Sequence, residues 1–446
     1  MKIALAVLCL VAALMGLCAG GCGSSGGGAS DSNATADASS DGAVGNDTIS
    51  PDVAAETAAD RVTPDAAPAD AATGDEPSGD SAQPDAALSD AEPDVPATPV
   101  PLSYATYNAG LAVNFVPLAP ERVEPVIDAL SKLTAEVVCL QEVWEPDHVA
   151  AMKEGLKDVY PEFLYVDTSE AGGGGAPPCT AEELAPLQEC VVANCTGSDD
   201  ITGCVMANCL EPFSALASGC TQCLAANLSK PLEEIFATCT ASGAVMSYDG
   251  RNGLILLAHR EFDTTEHLVL DSFLLRRVVL HATFKNDPDN THVFCTHLSA
   301  PLSEMEYAGK YESWEAEQAA QIDQMVAWID TQAGTDPTVL LGDMNCGPAA
   351  DGVSAALPEN YEKLVSAGGF IDVYMVALAP ECTWCASNTL VDDGNDNQII
   401  DHVLVRSFAM DEVPVAERFL DQLVEVTVDG QPQQTNLSDH FGVWWH

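Results

Sequence analysis

Thr338-Val339-Leu340-Leu341-Gly342-Asp343-Met344-Asn345 decides how the rest of the chain is read. Its first four residues make an apolar run of strand length, and the run stops in a polar tetrad that places a carboxylate and an amide just beyond a strand end. Upstream, residues 315–329 carry the apolar spacing of an amphipathic helix, and residues 292–296 form a second strand-like run that ends at His297. Strand, helix, strand is the local order. Further out the pattern repeats, with strand signals at 103–108, 136–142, 253–258, 277–284 and 400–406 and helical spacing over 123–133. This mixture predicts an α/β (α+β) fold of two packed mixed sheets flanked by helices.

Composition bounds what such a fold could do. The 446 residues hold 16 Lys+Arg against 68 Asp+Glu, a formal net charge of −52, with 16 cysteines. A field of that sign repels phosphate backbones and excludes an extended basic face for nucleic acid. Any phosphate chemistry has to recruit a cation. Residues 1–22 have one Lys, an apolar run and small residues up to Cys22, the pattern of a secretory signal. Ala19-Gly20-Gly21-Cys22 resembles a bacterial lipoprotein cleavage box, so the expected location is the cell envelope, held to the membrane by a lipid on Cys22; secretion is the alternative. Residues 23–101 are rich in Ala, Asp, Pro and Ser, with Arg61 as the only base and no aromatic residue, which predicts a disordered linker. Subtracting these segments leaves a net −38 on residues 102–446, so the folded part is acidic in its own right.

Six polar motifs fall at or near the expected strand ends: Asn108, Gln141-Glu142, Thr296-His297-Leu298, Gly342-Asp343-Met344-Asn345, Ile400-Asp401-His402 and Leu437-Ser438-Asp439-His440. Loops at core strand ends let a rigid scaffold converge side chains on one point. Singly, each motif reads as a solvated loop. In this order they resemble the endonuclease/exonuclease/phosphatase superfamily, which includes secreted deoxyribonucleases, abasic-site endonucleases, neutral sphingomyelinases and inositol phosphate phosphatases. The resemblance covers residues 102–168 and 246–446 and is most specific at Gly342-Asp343-Met344-Asn345 and Ser438-Asp439-His440. It implies a four-layered α/β sandwich, a catalytic domain over 102–446, and a site at one rim of two facing sheets.

The chemistry explains why these residue types belong together. A phosphodiester is anionic and repels nucleophiles, so its hydrolysis needs charge neutralisation, an activated in-line water and a stabilised leaving oxygen. By resemblance, Glu142 binds Mg²⁺, or else Mn²⁺ or Ca²⁺, while Asn108 positions the metal's water shell and Asp439 joins the metal side. His440 is then the general base for the attacking water and Asp401 orients it. Asp343 and Asn345 orient the nucleophile and phosphoryl oxygens, and His297 donates to a non-bridging or leaving oxygen. His297 should have an acidic or amide partner, Asp249 or Asn252. His402 reads as an outward, non-catalytic neighbour of Asp401.

The substrate stays open among a nucleic acid, a phospholipid and a small phosphorylated molecule. Thr296-His297-Leu298-Ser299-Ala300, followed by a helix with Glu317-Gln318, is similar to the sphingomyelinase branch, and the acidity argues against tight binding of long nucleic acid. The rival class is an inactive cell-surface binding module. Either way a monomer is expected.

Residues 169–245 interrupt the pattern with eight cysteines, at 179, 190, 195, 204, 209, 220, 223 and 239. In an exported protein they are expected to pair as disulfides in a mainly helical insert, although eight cysteines allow 105 pairings. Cys220-x-x-Cys223 leaves zinc as the alternative. Cys139 and Cys295, inside apolar strands, read as small core residues. Among Cys346, Cys382 and Cys385 one thiol is left over, and Cys382-Thr-Trp-Cys385 reads as a structural bridge.

Overall fold

The computed structural model describes residues 103–446 apart from residues 114, 170–175, 198–200, 229, 242–245, 303–306, 308, 378–379, 392–395 and 409–414. The signal, lipid box and linker expected over 1–101 lie outside the described residues. In chain order the strands are β1 (Tyr104–Asn108), β2 (Val137–Gln141), β3 (Glu162–Leu164), β4 (Ile255–Ala258), β5 (Phe262–Val269), β6 (Val278–Phe284) and β7 (His292–His297). After these come β8 (Thr338–Asp343), β9 (Ile371–Asp372), β10 (Asp401–Arg406), β11 (Ala416–Phe419), β12 (Val424–Val428), β13 (Gln431–Thr435) and β14 (Gly442–Trp445). They form two mixed six-stranded sheets, ordered β11-β14-β1-β2-β4-β3 and β5-β6-β7-β8-β10-β9, and a β12-β13 hairpin. The helices are α1 (Ala119–Leu130), α2 (Pro146–Leu156), α3 (Ala181–Asn194), α4 (Ile201–Asn208), α5 (Leu210–Ser214), α6 (Ser218–Ala226), α7 (Leu232–Thr240), α8 (Trp314–Ala333), α9 (Pro358–Glu362) and α10 (Val373–Val376).

The strand sequences require this layering. Tyr104, Val137 and Cys139 face the core between the sheets, whereas the alternate residues Ala105, Tyr107, Val138 and Leu140 pack with Val126 and Ile127 of α1 and Met152 and Leu156 of α2. Apolar residues on both faces of a period-two strand produce the continuous apolar runs of the sequence. On the second sheet Val279, Phe294, Leu340 and Leu404 pack against Ile322, Met325 and Ile329 of α8. Each such buried side chain contributes roughly 1.5–3 kcal/mol. Helix, sheet, sheet, helix is the four-layered α/β sandwich that the motifs implied. Helix α8 runs four residues past its expected end because nothing stops it before Gly334, whose φ of 55° closes it; at its start Ser313 Oγ accepts from the Ala316 amide at 3.2 Å.

Register then delivers the polar motifs to one rim. Strand β7 runs parallel to β8 with His297 opposite Asp343, and β10 runs antiparallel to β8 with Asp401 opposite the same Asp343. Strands β1 and β2 are parallel and end together at Asn108 and Gln141. Because β14 pairs antiparallel with β1, Val443 opposite Thr106, the residues just before β14 reach the rim where β1 ends.

The cysteines bring one correction. Cys139 of β2 and Cys295 of β7 are not separate core thiols; they form a disulfide, with Cα atoms 5.5 Å apart, that joins the two sheets. Both point into the inter-sheet layer, a fact that neither strand reveals when read alone. In the insert the pairs are Cys179–Cys220, Cys190–Cys209, Cys195–Cys204 and Cys223–Cys239. Cys220 and Cys223 go to different partners, so the zinc alternative falls away. Cys382–Cys385 is the expected local bridge, and Cys346 is the free, buried thiol. Alkylation in denaturant without reductant should therefore label Cys346 alone among the cysteines of residues 103–446. Mass-spectrometric label on Cys139 or Cys295 in unreduced protein would refute the cross-sheet bond.

Candidate active site

Asp343 is the hub of the rim. Its Oδ2 accepts a hydrogen bond from Asn108 Nδ2 at 2.9 Å and lies 3.5 Å from His297 Nε2 and 3.7 Å from His440 Nε2, while its Oδ1 accepts from the Asn345 amide at 2.9 Å. The glycine before it is a packing requirement, since a Cβ on Gly342 would sit 2.2 Å from the Thr296 carbonyl oxygen. Strands β7 and β8 approach closely only with glycine there. Asn108 also accepts from the Gly110 amide at 3.0 Å, and a Cβ on Gly110 would lie 2.3 Å from Asp439 Oδ1. That close approach holds Asp439 next to the end of β1. Asn345, with φ 48°, commits its side-chain amide to the Leu298 carbonyl at 3.0 Å, so it ties the loops after β7 and β8 together.

His440 is held from its other nitrogen. Its Nδ1 is 2.8 Å from Asp401 Oδ2, both groups are buried, and Trp384 packs edge-on at 4.9 Å between ring centroids. A carboxylate accepts from Nδ1–H, which fixes the tautomer with its lone pair on Nε2. The 3.7 Å from Nε2 to Asp343 is too long for a hydrogen bond. Nε2 is thus free to face a water. Such an arrangement can take a proton from that water, as general-base chemistry requires.

Electrostatics at the rim are dominated by crowded carboxylates. Burial, then the neighbouring Asp439, pushes Glu142 up to about 7, with Asp343 adding to the shift. Burial and Asp401 raise Asp343 to about 6. Burial alone would lower His440, but Asp401, Asp343 and Asp439 lift it well above its ordinary value. His297 moves the other way, held well below the usual range by burial and by the nearby cations Arg277 and His440. It is therefore neutral at neutral pH, and its Nδ1 is buried with no hydrogen-bond partner among the described residues. Glu142 itself sits at φ 61°, a conformation a non-glycine residue rarely adopts, which turns the chain sharply at the end of β2.

The structure brings Asn108, Glu142, His297, Asp343, Asn345, Asp401, Asp439 and His440 together, as the motifs implied. It overturns two finer expectations. Neither Asp249 nor Asn252 partners His297: Asn252 Nδ2 donates to the Val166 carbonyl at 2.7 Å, and Asp249 pairs with Lys230 and Arg251. The acidic neighbour of His297 is Asp343, its register partner across the sheet. His402 is not outward either. It is fully buried, with Nδ1 2.7 Å from Asp372 Oδ2 and Nε2 2.9 Å from the Cys346 carbonyl oxygen. Two acceptors require both ring nitrogens to carry protons, and although burial opposes the charge, Asp372 and Cys346 raise the pKa.

Two arginines escaped the sequence reading. Arg122, in α1, is completely buried and donates to the carbonyls of Ala109 at 3.1 Å, Leu437 at 2.6 Å and Pro117 at 3.1 Å, and to that of Gly110. It clamps the loop after Asn108 to the loop before Asp439. Arg277, just before β6, is buried within electrostatic reach of Glu142, Asp343 and Glu317. Each lies outside the six motifs, and nothing in the local sequence marks it: Arg122 stands between Glu121 and Glu124, and Arg277 follows Arg276.

A family model described as Endonuclease/Exonuclease/phosphatase family matches residues 105–440. The chain belongs to that family. Its members are metal-dependent phosphoesterases. Among solved structures, this chain is similar to sphingomyelinase C from Streptomyces griseocarneus, at 15% identity over 77% of this chain and 98% of that one, with a TM-score of 0.48. It is also similar to a Staphylococcus aureus beta toxin with bound magnesium ions, at 12% identity over 77% and 99%, TM-score 0.49. A third likeness is the mannosyl-6-phosphatase of Bacteroides thetaiotaomicron, at 14% identity over 77% and 98%, TM-score 0.43. No curated protein matches the sequence.

The residues present fit a hard divalent cation. Glu142, Asp343 and Asp439 are oxygen donors, and the upward shifts of Glu142 and Asp343, caused first by burial and then by neighbouring carboxylates, mark negative charge that a bound cation would offset. Among the described residues, Asp343, Asp401 and His440 also offer donor atoms within 4.8 Å of one another. The 2.8 Å contact between Asp401 and His440 is a hydrogen bond, however, which reserves that pair for proton transfer.

Proposed function

We propose that the chain is an exported, divalent-metal-dependent phosphohydrolase that cleaves a phosphodiester by attack of water. The observation that carries this reading is the buried relay from Asp401 through His440 to the rim shared by Asp343 and Asn108. Asp401 holds His440 in the tautomer whose Nε2 takes the proton of the attacking water. Asp343 and Asn345 orient that water and the phosphoryl oxygens, and neutral His297 donates from Nε2 to the oxygen that gains charge. Glu142, Asn108 and Asp439 would hold Mg²⁺, or Mn²⁺ or Ca²⁺. When bound, the cation supplies charge neutralisation at the phosphoryl group and lowers the negative potential that keeps His440 protonated.

Charge selects among substrates. With net −38 on residues 102–446, a long polyanion meets repulsion over its whole length, whereas a single phosphodiester meets it only at the site. The reading is therefore a phospholipid or small phosphodiester rather than long nucleic acid. In it, residues 1–22 export the monomeric domain, Cys22 anchors it in the membrane of the cell envelope, and residues 23–101 act as a tether.

A panel of sphingomyelin, bis-p-nitrophenyl phosphate and plasmid DNA, each with Mg²⁺, Mn²⁺ or Ca²⁺ and with His440→Ala as the blank, tests it. Turnover of the first two well above plasmid DNA is expected. Preference for DNA would reverse the substrate assignment, and no turnover of any would leave a binding module in place of an enzyme.

A further inference from the structure

Arg277 stands out as a buried guanidinium whose hydrogen-bonding capacity is not met among the described residues. It is 2% exposed, and its Nε and Nη1 are buried without a hydrogen-bond partner among the described residues. The other buried arginine of the rim, Arg122, spends its guanidinium on four carbonyl oxygens. A guanidinium left in this state is costly to a fold, because a buried ion loses hydration worth several kcal/mol unless hydrogen bonds or counter-charges replace it. Arg277 also lies where a ligand would be. Antiparallel pairing of β6 with β7, Val279 opposite Thr296, carries on to place Arg277 level with Leu298, one residue beyond His297. Leu298 in turn donates its amide to the Asp343 carbonyl at 3.1 Å and accepts from Asn345. The guanidinium thus stands on the catalytic rim, near enough to Glu142, Asp343 and His297 to influence all three, while forming an ion pair with none of them among the described residues.

We propose that Arg277 is an oxyanion subsite of the catalytic centre, whose free nitrogens bind non-bridging oxygens of the substrate's phosphoryl group and of the phosphate product. This rests on the phosphohydrolase reading and deepens it. A guanidinium offers a planar fork that matches two oxygens of one phosphoryl group, and in a water-poor site each such charge-assisted bond is strong. The carboxylates around it keep the subsite specific for a ligand that arrives with its own charge compensated, and the tetrahedral phosphoryl oxyanion is the class of group that fits. The alternative is that Arg277 serves only as a counter-charge for Glu142 and Asp343.

Arg277→Met separates the two, with inorganic phosphate as the probe and the full exported chain in magnesium chloride. Thermal unfolding of the unmodified protein should shift upward with phosphate. The variant should unfold at the same temperature or higher without phosphate, since an apolar side chain of similar length replaces a buried charge whose hydrogen-bonding capacity is unmet. Its phosphate affinity should fall about tenfold or more, the loss of at least one charge-assisted hydrogen bond. Arg277→Lys, which keeps the charge but not the fork, should fall in between and guards against misfolding of the first variant. A destabilised Arg277→Met with unchanged phosphate affinity, or an unmodified protein that phosphate does not stabilise, overturns the subsite. Because the readout is binding, it is independent of turnover: an inactive protein that loses phosphate with Arg277 refutes the hydrolase reading alone, and an active one indifferent to Arg277 refutes the subsite alone.

Discussion

Replacing His440 by Ala should lower turnover by roughly 10²–10⁴-fold, the range for removal of a positioned acid or base. The argument rests on two distances. Nδ1 is 2.8 Å from Asp401 Oδ2, so the ring is fixed, and Nε2 is 3.7 Å from Asp343, so it is not consumed by a hydrogen bond. KM should move less than kcat, since the base acts on the attacking water. His402→Ala is the control, and its geometry makes it a demanding one. The two residues are neighbours on β10, where side chains alternate between faces, so Asp401 looks into the rim while His402 looks away to Asp372 and the Cys346 carbonyl. Losing a buried partner of Asp372 should cost about 3–5 kcal/mol of stability. Turnover per folded molecule should nevertheless stay within a few-fold of the unmodified protein. Each variant leaves a buried carboxylate, Asp401 or Asp372, without its imidazole and so lowers the unfolding temperature; the roles separate by turnover per folded molecule, which His440→Ala loses and His402→Ala keeps. A full-rate His440→Ala alongside an inactive but folded His402→Ala would mean that the last two motifs had been assigned the wrong roles.

What the sequence disclosed follows from where the constraints lie. Strands buried on both faces read as apolar runs, and the polar residues closing β2, β7 and β8 mark the rim because a polar group at that place needs a reason. Partnerships across the fold leave no such trace. Asp372 is 30 residues from His402 and belongs to a two-residue strand, so nothing local couples them. The Cys139–Cys295 bond spans 156 residues, and an apolar strand cysteine looks alike whether reduced or bridged. Arg122 sits on a helix, where a basic residue is normally solvated, and only the carbonyls of the β1–α1 connection and of the distant Leu437 explain its burial. The β12-β13 hairpin does leave a local trace: Asp429-Gly430, with φ of 51° and 75°, is a tight-turn dipeptide between paired strands. Site chemistry was thus readable where it is carried by motifs, and hidden where it is carried by contact between elements.

Stripping divalent cations should abolish measurable turnover, a loss on the order of 10³-fold or more if the cation supplies several kcal/mol of stabilisation to the transition state. The protein's own groups make the case. Four carboxylates, those of Glu142, Asp343, Asp401 and Asp439, share one rim, where the basic groups identified among the described residues are His440, Arg277 and Arg122, whose guanidinium is spent on carbonyl oxygens, while His297 is neutral. An anionic phosphoryl group would be repelled by that surplus unless a cation offset it. Glu142→Gln tests the assignment of the donor. The substitution keeps shape while removing one of the mutually repelling charges, so in EDTA the variant should unfold no earlier than the unmodified protein. Added magnesium should stabilise the unmodified protein and leave the variant nearly unmoved, with turnover reduced in step. If Glu142 were instead needed only to shape the turn at φ 61°, the variant would be destabilised with or without magnesium and its response to the cation would be retained. Full turnover after exhaustive EDTA treatment would refute cation dependence outright, and with it the reason for so many carboxylates on a surface that has to accept an anion.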